Sequence, residues 1–170
     1  MSDKLTIKLA QNDDLSILYD ISAQMHGVKE REYFERSLHL QAQGERDVLI
    51  AYVDQEPIGY VMLSYRPKYG YYRAHEMPEI QDLNVLPDYR RRGYGAQMIA
   101  YCEDRAREKG YSKMGIGVGL TPSYGPAQRL YARLGYIPDG MGVTYDRKVI
   151  AHGAFHPFDD EVSLMMEKEI

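Results

Sequence analysis

Residues 87–97 read PDYRRRGYGAQ, and the fold turns on what Gly93 and Gly95 do there. On the N-terminal side stands EIQDLNV, residues 79–85, a strand-like run that Pro87 ends. On the C-terminal side AQMIAYCEDRAREK places Met98, Ile99, Cys102 and Ala106 on one helical stripe and stops at Gly110, a residue suited to a left-handed C-cap. The order is therefore strand, glycine turn, helix. A helix N-terminus carries unpaired backbone N–H groups and partial positive charge, and glycines let an anion approach them. Arg90, Arg91 and Arg92 add mobile positive charge. The same residues also suit a solvated, charged turn that caps a helix. No Lys-Ser/Thr follows, so it is not a Walker loop, and Met98 at the third glycine position rules out the Rossmann fingerprint.

Working outward, LTIKL at 5–9 alternates as a strand, and QNDDLSILYDIS offers Asn12 or Asp13 as the N-cap of a helix. EREYFERSLHLQAQ continues as a second helix. DVLIAYV and IGYVMLSY flank the turn-forming DQEP, so residues 47–65 predict a hairpin. Beyond the central helix come a strand at 113–118 and a helix with Pro126 at its first position and Gly135 just past its end. On that helix Ala127, Leu130, Tyr131 and Leu134 share a face. GVTYDRKVI and EVSLMMEKEI read as two terminal strands. The predicted fold is mixed α/β of the α+β type, a mostly antiparallel sheet with helices on both faces. The helical crossover makes 79–85 and 113–118 its parallel pair.

Composition narrows the function classes. The 170 residues predict one domain, 1–170, able to bury a core without disulfides. Lys+Arg number 21 against 25 Asp+Glu, a net charge of -4, which counts against DNA or RNA as the partner of Arg90–Arg92. Cys102 is the single cysteine, and neither a signal-peptide core nor a membrane-length apolar run is present. The expectation is a cytoplasmic protein with no membrane partner. His152 and His156 are four apart, yet Gly153 and Pro157 break the helix that a metal pair of that spacing needs, so no metal is expected. Cys102 lies on the apolar stripe and reads as core.

Two motifs in this order resemble the GCN5-related N-acetyltransferases, the GNAT family. Arg90-Arg-Arg-Gly93-Tyr-Gly95 matches the family's Arg/Gln-x-x-Gly-x-Gly/Ala, preceded by LNVLPDY, and Ala127, Tyr131, Gly135 and Tyr136 match its second signature. The likeness runs from about residue 5 to the end. It implies acetyl-CoA as co-substrate, with pantetheine lying in the wedge where 79–85 splays from 113–118. Backbone groups of Leu83 and Val85 would bond pantetheine, while the amides of Arg91, Arg92, Gly93, Tyr94, Gly95 and Ala96 would hold the pyrophosphate beside Arg90. As side chains, Leu83 and Val85 read as core.

The implied reaction is acetyl transfer to a primary amine by direct attack in a ternary complex. An alkylamine has a pKa of about 10, so a base must take its proton. Position relative to Arg90 aligns Glu79 with the glutamate base of the histone-acetylating branch; the other reading is a surface carboxylate at a strand end. Asp82 has the opposite strand parity unless a bulge intervenes, and Glu76 precedes the strand. A backbone N–H near Leu83 or Asn84 would stabilise the thioester oxygen. Tyr131 stands where the family places the tyrosine that protonates the leaving thiolate, although it also fits a core position. Tyr124 departs from the pattern, since many members carry an Asn there that bonds the cofactor. Tyr69, Tyr71 and Tyr72 near His75, Glu76 and Glu79 suit a cationic acceptor, and Tyr71, His75 and Glu76 are the candidate acceptor residues. The acceptor, small molecule or peptide, is not named by the sequence. A homodimer is open by analogy with relatives. The rival function is an acyl-CoA-binding regulatory module without transferase activity.

Overall fold

The computed structural model describes residues 4–25 and 27–170. Its eight strands form a mixed α/β architecture, one strand pair parallel and the others antiparallel. The chain divides into two compact units, each discontinuous in sequence: Met1–Tyr65 with Ile80–Asp104, and Arg66–Glu79 with Arg105–Ile170.

The first unit holds β1 (Leu5–Leu9), α1 (Leu15–Ala23), α2 (Arg31–Ala42), β2 (Arg46–Val53), β3 (Glu56–Ser64), nearly all of β4 (Glu79–Val85) and the start of α4 (Tyr94–Glu108), with α3 (Gly70–Ala74) falling outside it. The strand order is β1-β2-β3-β4. β1 pairs antiparallel with β2 from Leu5↔Val53 to Leu9↔Leu49, and β2 with β3 from Arg46↔Ser64 to Val53↔Glu56. Asp54 and Gln55 close that hairpin, both at positive φ, as a two-residue primed turn requires. Period-two alternation puts Val48 and Ile50 of β2 and Tyr60 and Met62 of β3 in the core that packs against Leu18 and Ile21 of α1 and Phe34 and Leu38 of α2. Burial of these side chains, more than intrinsic propensity, holds the two short helices in place.

The second unit holds α3, the end of α4, β5 (Lys113–Gly119), α5 (Gly125–Arg133), β6 (Ile137–Tyr145), β7 (Lys148–Val149) and β8 (Val162–Glu169), with strand order β5-β8-β6-β7. β5 pairs antiparallel with β8 from Lys113↔Glu169 to Gly119↔Ser163, and β6 pairs antiparallel with both β8 and β7. Tyr69, Tyr72, Met77 and Met165 form a small core under α3.

Most predicted elements stand where the pattern placed them, and the stripe Met98, Ile99, Cys102 and Ala106 on α4 is buried. Gly110, at φ 89, closes α4 with a bond from the Tyr111 N–H to the Ala106 carbonyl. The differences lie at ends and turns. Asn12 and Asp13 are not the N-cap: residues Asn12–Asp14 make a 3-10 turn, in which the Asp14 carboxylate accepts the Gln11 N–H, and α1 starts at Leu15. Gly125, not Pro126, opens α5. α3 was not expected, because five residues are too few for a periodic signal. The two terminal strands are three, since Asp146 and Arg147, both at positive φ, fold Lys148–Val149 back on β6. Among the described residues no helix is long and apolar enough to cross a membrane, and no cluster of three or more His, Cys, Asp or Glu is arranged to hold a metal.

Candidate active site

In the first unit the stretch expected to form an anion cradle has a distinctive backbone. After β4, Pro87–Tyr89 make a 3-10 turn, Arg91 and Gly93 adopt positive φ of 62 and 83, and α4 begins at Tyr94. Left-handed residues next to right-handed ones are what allow successive N–H groups to converge on an anion. The first intrahelical bond runs from the Gln97 N–H to the Gly93 carbonyl, so the amides of Tyr94, Gly95 and Ala96 precede the helical ladder. Arg90, Arg91 and Arg92 are exposed. Arg90 folds back, its Nε donating to the Val85 carbonyl at 2.9 Å. Val85 therefore spends its carbonyl partly on Arg90. Arg92 stacks over the Tyr89 ring at 5.5 Å.

Asp82 departs from strand geometry inside β4: it sits at φ 49, a conformation costing a non-glycine residue roughly 1 kcal/mol or more. Its carboxylate accepts a hydrogen bond from the Tyr33 hydroxyl and lies 3.6 Å from Lys29 Nζ. Two residues on, a Cβ on Gly59 would meet the Asn84 carbonyl oxygen at 2.2 Å. β4 thus lies so close to β3 that only glycine fits at 59. Leu83 and Val85, expected as core side chains, are half-buried.

The second unit holds the candidate carboxylate. Glu79 is fully buried, which excludes the reading of a surface carboxylate, and its Oε1 accepts from Arg147 Nε and Nη2 at 3.1 and 3.0 Å. Arg147 reaches it from the turn between β6 and β7. Glycines 115, 117 and 119 share one face of β5, and that bare face is occupied. A Cβ on Gly115 would lie 2.4 Å from the Tyr72 ring, one on Gly117 2.9 Å from Met165 Sδ and 3.9 Å from Glu79 Oε1, and one on Gly119 2.4 Å from the Tyr124 ring. Tyr124, in place of the asparagine many relatives carry, is thus packed flat on the strand end. The carbonyl of Gly119 is taken by Gln128 Nε2 at 2.9 Å.

Tyr131 is buried on α5, its ring tilted against Tyr136 at 6.4 Å, and burial pushes its phenol up to about 12. It stays protonated across the physiological range. The loop tyrosines divide. Tyr72 is core, its hydroxyl donating to the Met166 carbonyl, and Tyr69 is buried with its hydroxyl on Asp139 at 2.7 Å. Tyr71 is half-buried and stacks on the exposed His75 at 4.1 Å, and His75 Nδ1 lies 2.8 Å from the Tyr71 carbonyl. Glu76 is exposed at φ 52, where it terminates α3 while the Met77 N–H closes onto the Tyr72 carbonyl.

The family's acetyltransferase (GNAT) model matches residues 15–136, most of the chain. The chain belongs to the GNAT acetyltransferase family. It is 32% identical over 75 residues to the aminoalkylphosphonate N-acetyltransferase of Salmonella typhimurium, a stretch that covers 44% of this chain and 47% of that one. The chain thus spans about half the length of that curated relative. Its fold is shared with the ribosomal-protein-S18-alanine N-acetyltransferase of Escherichia coli, at 15% identity and a TM-score of 0.73 over 98% of this chain and 94% of the other. A Salmonella typhimurium acetyltransferase solved with acetyl-CoA shares it at 16% identity and a TM-score of 0.67, covering 97% and 93%.

Within this GNAT chain, Gly59 and Arg147 escaped sequence reasoning, and Tyr72 and Tyr124 were read there without their place on the β5 face. The Asp146-Arg147 pair inside GVTYDRKVI is a turn signal that places an arginine at a hairpin tip, but its partner is 68 residues away in sequence.

Proposed function

We propose that this chain moves the acetyl group of acetyl-CoA to a primary amine by direct attack. The amine nitrogen bonds to the thioester carbon, the C–S bond breaks, the nitrogen gives up its proton and the thiolate takes one up. The observation that carries this reading is the cradle: the left-handed Arg91 and Gly93 leading into α4, with the amides of Tyr94, Gly95 and Ala96 ahead of the helical ladder. Those amides, with Arg90, Arg91 and Arg92, would hold the CoA pyrophosphate. The backbone of Leu83 and the N–H of Val85 would bond pantetheine, and an N–H at Leu83 or Asn84 would face the developing oxyanion.

Glu79 is the proposed proton acceptor. Because it is sealed from solvent with Oε1 committed to the Arg147 guanidinium, proton removal runs through a water. Tyr131, held neutral by burial, donates to the thiolate as it leaves. Tyr71, His75 and Glu76 would line the acceptor entrance, with acceptors drawn from small molecules or peptide amines. A single buried cysteine suits a reducing, cytoplasmic setting.

A second reading has a specific observation behind it. With Glu79 locked to Arg147, the fold is also suited to an acyl-CoA-binding module that performs no transfer. Thiol release from acetyl-CoA over a panel of alkylamines separates the two. Amine-dependent release that falls in Tyr131→Phe and in Glu79→Gln supports the enzyme. Stabilisation by CoA with no release for any amine supports the module, and unchanged rates in both variants remove the assigned roles.

A further inference from the structure

Asp82 differs from Glu79 in every respect that matters for meeting a substrate. Its side chain is 25% exposed, whereas Glu79 is fully buried. Its backbone is held at φ 49 inside a strand, a conformation retained only where the surroundings over-determine it and one that gathers at functional sites. What the carboxylate faces is also informative. Its Oδ2 takes the Tyr33 hydroxyl, and its Oδ1 lies 3.6 Å from the Lys29 ammonium, which sits 4.9 Å from the centroid of the Tyr33 ring. A carboxylate beside an aromatic face is what recognises an alkylammonium, and here one is already in place. It belongs to the chain itself.

We propose that Asp82 and the Tyr33 ring form the docking site for the acceptor's ammonium group, and that Lys29 occupies it until an acceptor arrives. This rests on the reading of the chain as an amine acetyltransferase and narrows the acceptor to alkylamines that are protonated at neutral pH, excluding arylamines. Three features support exchange at this position. Lys29 is 38% exposed and its contact with Asp82 exceeds hydrogen-bond length, so the resident ion pair is weak and open to competition. Tyr33 is fixed independently of Lys29, its ring edge-on to the buried Phe34 at 5.4 Å. Asp82 immediately precedes Leu83, so an amine held there stands at the start of the backbone stretch assigned to pantetheine. Arg46, bonded to Ser37 and to Gln81 at 2.9 Å, adds a second cation to the surroundings, which disfavours a second positive charge on the acceptor close to the first. Asp82 is assigned binding of the cation and not its deprotonation.

The test uses the whole chain and two independent readouts. In the first, lysines carry 13C at Cε, the Lys29 resonance is assigned with Lys29→Arg, and n-propylammonium chloride is titrated against sodium chloride at matched ionic strength. The Lys29 signal is expected to move with the amine in the wild type and to stay fixed in Asp82→Asn. In the second, steady-state kinetics on the best alkylamine should show KM raised at least tenfold in Asp82→Asn with a smaller change in kcat, partial rescue by Asp82→Glu, and KM lowered severalfold in Lys29→Ala. A purely structural Asp82 would not make removal of Lys29 improve KM. A Lys29 signal indifferent to propylammonium, or KM unchanged in both variants, overturns the proposal. A moving Lys29 signal in a protein that acetylates no amine keeps the ammonium site and refutes the transferase reading.

Discussion

The cradle and the Glu79 pocket are built by opposite means. The cradle is made of backbone: two residues in left-handed conformation and a helix start, flanked by exposed arginines. The Glu79 pocket is made of side chains pressed onto a strand stripped of its own, with a buried carboxylate neutralised by an arginine from a hairpin tip. A site of the first kind tolerates changes in side-chain chemistry and fails when a Cβ is forced on it; a site of the second kind fails when any one occupant changes.

The largest expected effect follows from that contrast. Gly115→Val drives two methyl groups into the Tyr72 ring, which already lies 2.4 Å from where a Cβ would stand, and should cost about 3 kcal/mol or more in denaturant unfolding. A loss below about 1 kcal/mol would mean that the β5 face is not tightly filled. Tyr131→Phe comes next, lowering kcat about 100-fold with the CoA dissociation constant unchanged. With the phenol raised to about 12, the wild-type kcat should show no fall from loss of this proton up to about pH 11; an alkaline limb near pH 10 would indicate an ordinary, solvated tyrosine.

Glu79→Gln removes the buried anion that Arg147 meets and should destabilise by roughly 2 kcal/mol, less than a wholly buried pair because Arg147 keeps 32% of its side chain in solvent. Adding Arg147→Met should return most of that stability and none of the activity. Full recovery of turnover in the double variant would remove Glu79 from the mechanism. The smallest effect belongs to the cradle. Arg91→Gly relieves a positive φ of 62 and should be neutral or stabilising by under about 1 kcal/mol, while CoA binding weakens slightly and loses part of its salt dependence.

The same contrast explains what could be read in advance. The cradle was legible because its determinants are consecutive: Val85, Pro87, the arginines, Gly93 and the apolar stripe of α4 lie within one short stretch, and each has a local physical meaning. The buried helical position of Tyr131 was legible through the shared face of Ala127, Leu130 and Tyr131 ahead of Gly135. Glu79 was visible as a residue, but its pairing with Arg147 was not, because nothing local in EIQDLNV or TYDRKV points from one to the other. The left-handed backbone at Asp82 was not legible, nor was the approach of Asn84 to Gly59 on the neighbouring strand, a contact that a one-dimensional pattern does not contain. The tyrosines of the 65–78 loop read as a possible acceptor surface because loop aromatics and core aromatics look alike in sequence; two of the three, Tyr69 and Tyr72, are buried.

The glycines of β5 carry one more consequence. Because they recur at every second position, sliding β5 by two residues against β8 would still lay glycine on two of the three bare positions, with Lys113 or Thr121 arriving at the third, so the bare face by itself only weakly distinguishes one alignment from the next. The occupants sharpen the distinction, since the rings of Tyr72 and Tyr124 flank the thinner Met165 side chain along the strand. They act as a key with one thin tooth between two broad ones, and trimming any of them should show first as heterogeneity of strand alignment.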